Sequence, residues 1–138
     1  TNLKILENII KSELAFYHSY YRSHNNVFIN DWPEQFKLTA WFVRLKKHGH
    51  QTAHIHPTGW LSGVIYLKPI INPIGNEGAI EFGLHGYDWP IISSRPKYLT
   101  HQPKIGDIVL FPSSLFHRTT PVRADTERCV IAFDMASD

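Results

Sequence analysis

From about Lys37 onward the chain is cut by turn residues into short strand-like runs, and few folds accept that pattern. The candidates are Leu38 to Arg44, Gln51 to His56, Leu61 to Leu67, Gly78 to Phe82, Tyr98 to Thr100, Asp107 to Phe111, His117 to Pro121 and Arg128 to Asp134. Seven or eight short strands separated by turns predict an antiparallel sandwich or barrel, because each strand must bury one face against a second sheet. No internal repeat or low-complexity segment interrupts the pattern.

The N-terminal residues follow a different period. Leu3, Leu6, Ile10, Leu14, Tyr17 and Tyr21 recur every three or four positions over residues 2 to 23, with Asn2 placed to cap. That spacing predicts an amphipathic helix whose apolar stripe serves packing. Asn25, Asn26, Asn30, Asp31 and Pro33 then predict a connection built of turns. At 138 residues the chain has the size of one domain. The expectation is a single mainly β domain, with residues 1–36 as helical support and 37–138 as the β core.

A formal charge of +2 gives no reason to expect nucleic acid or a membrane surface as partner. The one basic cluster, Arg44-Leu45-Lys46-Lys47, reads as a solvated strand end. Cys129 is the sole cysteine, so no internal disulfide can form. No apolar run approaches membrane-spanning length and the N-terminus lacks a signal-peptide pattern, so the expected compartment is the cytoplasm. The chain opens at Thr1 rather than at methionine, as a fragment or a processed product would.

Alternation along two runs bears on function. In Leu61 to Leu67, residues Leu61, Ile65 and Leu67 share one face and Ser62, Val64 and Tyr66 the other. In Arg128 to Asp134, residues Cys129, Ile131 and Phe133 oppose Arg128, Val130, Ala132 and Asp134. The smaller, more polar face of each is expected to line a pocket between the sheets. The aperiodic segment from Leu84 to Pro103 reads as a substrate-facing insertion bearing Tyr87, Trp89 and Tyr98.

Of nine histidines, three stand in a constellation: His54-Ile55-His56, His117 behind an apolar run, and then Arg128. Residues two apart on a strand share a face, so His54 and His56 can aim two imidazoles at one point. A third ligand from a distant strand would close one face of a metal ion. Side-chain ligands on one face with open positions opposite suit a non-haem Fe(II) oxygenase. An arginine supplies a fixed fork for a carboxylate.

The stretches HIHPTGWLSGVIYL (54–67), GDIVLFPSSLFHRTTP (106–121) and RCVIAFD (128–134) together resemble the 2-oxoglutarate and Fe(II)-dependent oxygenase domains found at the C-terminal end of tetratricopeptide-repeat proteins. That group is distantly similar to prolyl 4-hydroxylases and aspartyl/asparaginyl β-hydroxylases. The resemblance spans roughly residues 38 to 138. It implies a double-stranded β-helix, or jelly roll, holding Fe(II) on His54 and His117. It also implies Arg128 as the clamp for 2-oxoglutarate; the strand reading adds the Ser62 and Tyr66 hydroxyls as hydrogen-bonding groups for that cosubstrate, and Trp41 and Arg44, on the strand before the first histidine, as pocket candidates. The implied activity is a dioxygenase that hydroxylates a peptidyl or small-molecule C–H bond and releases succinate and CO2.

The chain departs from the common pattern at His56, where such oxygenases usually carry aspartate or glutamate. Either His56 ligates, giving three histidines, or it turns aside and water takes the position. Three histidines also suit zinc or copper. A cupin-type metalloprotein is the structural rival, although Pro57 to Leu61 lack the glutamate of the usual cupin motif. A module that binds a partner without catalysis is the third reading.

Overall fold

The computed structural model describes residues 1–83, 85–91 and 97–138. Its contacts divide them into two compact units, Thr1–Gln35 and Phe36–Asp138. Among the described residues no helix is long and apolar enough to cross a membrane.

The first unit is helical. Helix α1 runs Asn2–Tyr21, with Thr1 rather than Asn2 in the cap position. Of the predicted stripe, Ile10 and Leu14 are buried whereas Leu3 is exposed. The connection expected to be turns contains a one-turn helix, α2 (Val27–Asn30). The Asn26 carboxamide accepts from the Ile29 amide at 3.0 Å, so the asparagine read as a turn former is an N-cap. Tyr17 stacks on Trp32 and meets Phe28 edge-on within this unit.

The second unit holds eight strands: β1 (Phe36–Lys46), β2 (Gln51–His54), β3 (Leu61–Lys68), β4 (Ile80–Gly83), β5 (Leu99–His101), β6 (Ile108–Pro112), β7 (Phe116–Thr119) and β8 (Glu127–Ser137). They form two four-stranded antiparallel sheets, ordered β1-β8-β3-β6 and β2-β7-β4-β5. This is the expected jelly roll, with each predicted run present as a strand. The main revision is at β2, which ends at His54 and leaves His56 in the following loop.

Both sheets contribute to the core between them: Val64, Tyr66, Phe111 and Val130 from the β1-β8-β3-β6 sheet, Ile80 and Phe82 from the β2-β7-β4-β5 sheet. The alternation read from sequence holds. Val64 and Tyr66 of β3 and Val130 of β8 point inward together. Gly63, next to Val64 on β3 and paired with Phe133 of β8, lets the Phe133 ring lie across the other face, since a Cβ at Gly63 would sit 2.2 Å from the ring. The expected insertion from Leu84 to Pro103 lies partly outside the described residues. Within its described part, Tyr87 and Trp89 meet the Phe116 ring edge-on.

Candidate metal centre

His54 and His117 are direct partners across the antiparallel β2–β7 pair, which brings their rings to 4.4 Å. His56 lies beyond the end of β2, where its amide donates to the Ser113 carbonyl at 2.9 Å. That bond folds the loop back, so its ring stacks beside His54 at 5.3 Å and meets His117 at 5.0 Å. One nitrogen from each imidazole lies within 4.8 Å of the others. The i, i+2 strand argument thus reaches the right cluster through a loop rather than through a continuing strand.

The second ring nitrogens fix which atoms are free. His54 Nδ1 lies 2.7 Å from the Thr52 carbonyl, and His117 Nδ1 lies 3.0 Å from the Leu115 carbonyl. A carbonyl only accepts, so each of these Nδ1 atoms carries the proton and each Nε2 keeps its lone pair. His56 Nδ1 instead faces Asp134 Oδ1 at 2.6 Å. A carboxylate imposes the same tautomer. His117 is also buried against Phe111 at 4.5 Å, and this burial pushes its pKa down from 6.5 to about 4. It is held in the neutral form that ligates a metal.

Arg128 lines the same cavity as the three histidines. It is 1% exposed, and its Nε donates to the Gly78 carbonyl at 3.0 Å. The guanidinium sits over the Tyr66 ring, 5.0 Å from its centroid, and among the described residues Nη1 is buried with no hydrogen-bond partner. Burial lowers the Arg128 pKa and raises that of Tyr66, each shift partly opposed by the other group; among the described residues the Tyr66 hydroxyl has no partner at hydrogen-bond geometry. A buried charged donor without an acceptor is costly unless an anion arrives to meet it.

The other predicted site residues separate. Trp41 lines the cavity, 5.8 Å from the His56 ring. Arg44 does not reach it: alternation turns Trp41 and Val43 inward, while Arg44 reaches outward to Glu127 at 3.9 Å. Ser62, expected to offer a hydroxyl to the cosubstrate, spends it on Asp134 Oδ1 at 2.6 Å and contacts Ser113 Oγ at 2.8 Å.

Four residues at the site were not singled out from sequence: Asp134, Ser113, Gln51 and Thr119. Gln51 and Thr119 line the cavity as a cross-strand pair, with the threonine hydroxyl donating to the glutamine carbonyl at 3.0 Å. Asp134 was legible as a pocket-face residue by alternation with Arg128, but its partner was not, because their meeting depends on the β3–β8 register.

The family described as "Putative 2OG-Fe(II) oxygenase" matches residues 39–134. No curated protein matches the chain in sequence. In fold it is similar to a prolyl 4-hydroxylase from Pseudomonas putida, with a TM-score of 0.57, 17% identity, and coverage of 74% of this chain and 54% of that one. It is similar to HygX from Streptomyces hygroscopicus, solved with nickel, 2-oxoglutarate and hygromycin B (TM-score 0.59, 15% identity, 78% and 57% covered). A prolyl 4-hydroxylase from Phytophthora capsici gives a TM-score of 0.58 at 21% identity, with 78% and 36% covered. The chain thus spans about half the length of the first two, and less of the third. At these identities the likeness establishes the shared double-stranded β-helix.

Proposed function

We propose that this chain, which belongs to the 2OG-Fe(II) oxygenase family, is a working dioxygenase that holds Fe(II) on His54, His56 and His117 and 2-oxoglutarate on Arg128. The observation that carries the reading is one cavity lined both by three imidazoles with free Nε2 lone pairs and by a buried cation with an unpaired donor. Three neutral nitrogen donors on one face fit a divalent first-row metal and leave positions open for cosubstrate and oxygen. The orphan Nη1 fits a carboxylate oxygen.

When bound, iron with 2-oxoglutarate supplies oxidative chemistry: dioxygen and 2-oxoglutarate are consumed, a C–H bond becomes C–OH, and succinate and CO2 leave. The protein's own residues prepare for it. His54 and His117, locked through Nδ1 to backbone carbonyls, cannot swing away from the ion without losing a hydrogen bond. Arg128 orients the cosubstrate through its distal carboxylate, with the Tyr66 ring beneath the guanidinium limiting its rotamers. Phe82 and Phe111 pack around His117 and keep water from that side.

The hydroxylated bond belongs to a peptide side chain or a small molecule. Tyr87, met edge-on by Trp89, reaches the His54–His56 segment, where its hydroxyl accepts from the Ile55 amide at 3.4 Å, a pair suited to flank such a substrate.

Anaerobic addition of Fe(II) and then 2-oxoglutarate should produce a metal-to-ligand absorption band, and admitting oxygen should yield succinate slowly without a prime substrate. A folded protein that gives neither band nor succinate above a metal-free control overturns the reading.

A further inference from the structure

The third histidine is supported unlike the other two. His54 and His117 each bond a carbonyl two residues earlier in the chain. His56 bonds a carboxylate 78 residues away, at 2.6 Å. That carboxylate is itself held. Ser62, opposite Asp134 in the β3–β8 register, donates to the same Oδ1 at 2.6 Å, and Ser113 stands behind Ser62 at 2.8 Å. Both serines are fully buried.

The backbone closes the same circuit. The Ser113 carbonyl accepts from the His56 amide, the Ser113 amide donates to the Trp60 carbonyl, and the Trp60 amide donates to Met135, next to Asp134. Gly59 gives Ser113 its place, since a Cβ there would come within 2.4 Å of Ser113 Oγ.

From this circuit we infer that Asp134, braced by Ser62 and Ser113, is the positioning residue for the metal centre, fixing the His56 tautomer and supplying from behind the imidazole the negative charge that a ligating carboxylate would supply directly. The inference rests on the three-histidine reading above and goes beyond it. A loop histidine has no strand to aim it, so its orientation must come from a partner. A carboxylate accepting Nδ1–H raises the basicity of Nε2 and offsets part of a divalent charge. Ser62 holds Asp134 Oδ1 toward the imidazole, which leaves the network without an unsatisfied hydroxyl.

The test uses Co(II), whose visible absorption reports ligand geometry without turnover, with thermal unfolding of the metal-free protein alongside. Asp134→Asn keeps the shape and removes the charge. It should weaken Co(II) binding on the order of 10- to 100-fold, the range expected when a ligand's outer partner is altered, and should change the absorption while metal-free unfolding stays near wild type. Ser62→Ala should weaken binding in the same direction but less, and it serves if the Asn variant does not fold.

The deciding comparison is the His56→Asp background. A carboxylate ligand there no longer needs Asp134 and is repelled by it, so adding Asp134→Asn should leave Co(II) affinity unchanged or improve it. Wild-type affinity and spectrum in folded Asp134→Asn or Ser62→Ala, or an equal loss from Asp134→Asn in both backgrounds, would overturn the inference. Failure of the underlying reading looks different: His117→Ala would then bind Co(II) as tightly as wild type.

Discussion

The two sheets of the β unit divide the site between them, and they do so by different means. The β2-β7-β4-β5 sheet presents His54 and His117, aimed by hydrogen bonds that each imidazole makes to its own chain two residues away. The β1-β8-β3-β6 sheet presents Arg128 and Asp134, whose partners Gly78 and His56 come from 50 and 78 residues away. His54 and His117 are thus oriented locally, while His56, Arg128 and Asp134 are oriented by register. A change on the first of these sheets therefore acts at its own residue, whereas on the second Ser62 and Asp134 act together on His56.

The largest effect expected from this division follows removal of a ligand on the first sheet. His117→Ala should lower Fe(II) affinity by more than about 100-fold, beyond the loss caused by disturbing an outer partner. The strands and core should persist, because they rest on burial that the imidazole shares only in part. Equilibrium dialysis with Fe(II), paired with circular dichroism, measures both. Full iron occupancy in the variant would displace the centre from these histidines.

On the second sheet, Arg128→Met should leave iron bound and weaken 2-oxoglutarate. Losing a charge-assisted bond to a desolvated carboxylate costs on the order of 2–5 kcal/mol, or roughly 30-fold to several thousand-fold in Kd. Methionine fills much of the volume and carries no unpaired donor, so the fold should tolerate it. Unchanged cosubstrate affinity, read from the absorption band during titration, would move the clamp elsewhere.

A pH effect follows from His117 on the β2-β7-β4-β5 sheet. His117 is held neutral in the folded protein, with a pKa near 4, against 6.5 when exposed. Between those values the unfolded chain takes up a proton that the folded chain refuses, so stability of the metal-free protein should fall as pH drops from 6.5 toward 4. It should be unaffected by this residue above 6.5. The full effect is on the order of 3 kcal/mol. His117→Gln should flatten that limb in denaturant titrations, and an equal slope in both proteins would mean that His117 takes up a proton as readily folded as unfolded.

How much of this could be read from residues alone follows the same division. The strands, the cavity faces of β3 and β8, and the grouping of His54, His56 and His117 all come from local periodicity and motif spacing. The arm behind His56 does not, because Ser62 and Asp134 meet only once the register of β3 against β8 is set, and a slip of one residue would part them. The expectation that Ser62 donates to the cosubstrate came from its face alone, whereas the register sets its hydroxyl on Asp134. Asn26 shows the same limit at small scale, since an asparagine suits a turn and an N-cap equally and only the next four residues decide.

The smallest effect sharpens the line between the two faces of a single strand. Trp41 and Arg44 both lie on β1, three residues apart, and odd spacing puts them on opposite sides. Trp41 is 37% exposed, yet it lines the cavity beside His56. Trp41→Ala should therefore loosen the cosubstrate several-fold, within the roughly 0.5–1.5 kcal/mol that a ring contact of this kind contributes. Arg44 meets Glu127 at 3.9 Å in an exposed pair that Lys68 shares at 3.3 Å. Such pairs contribute about 0–1 kcal/mol, and Lys68 remains to hold the glutamate, so Arg44→Ala should leave 2-oxoglutarate affinity unchanged and stability within about 0.5 kcal/mol. Calorimetric titration of the two variants side by side checks the assignment. A cosubstrate defect in Arg44→Ala would mean that β1 presents its other face to the cavity.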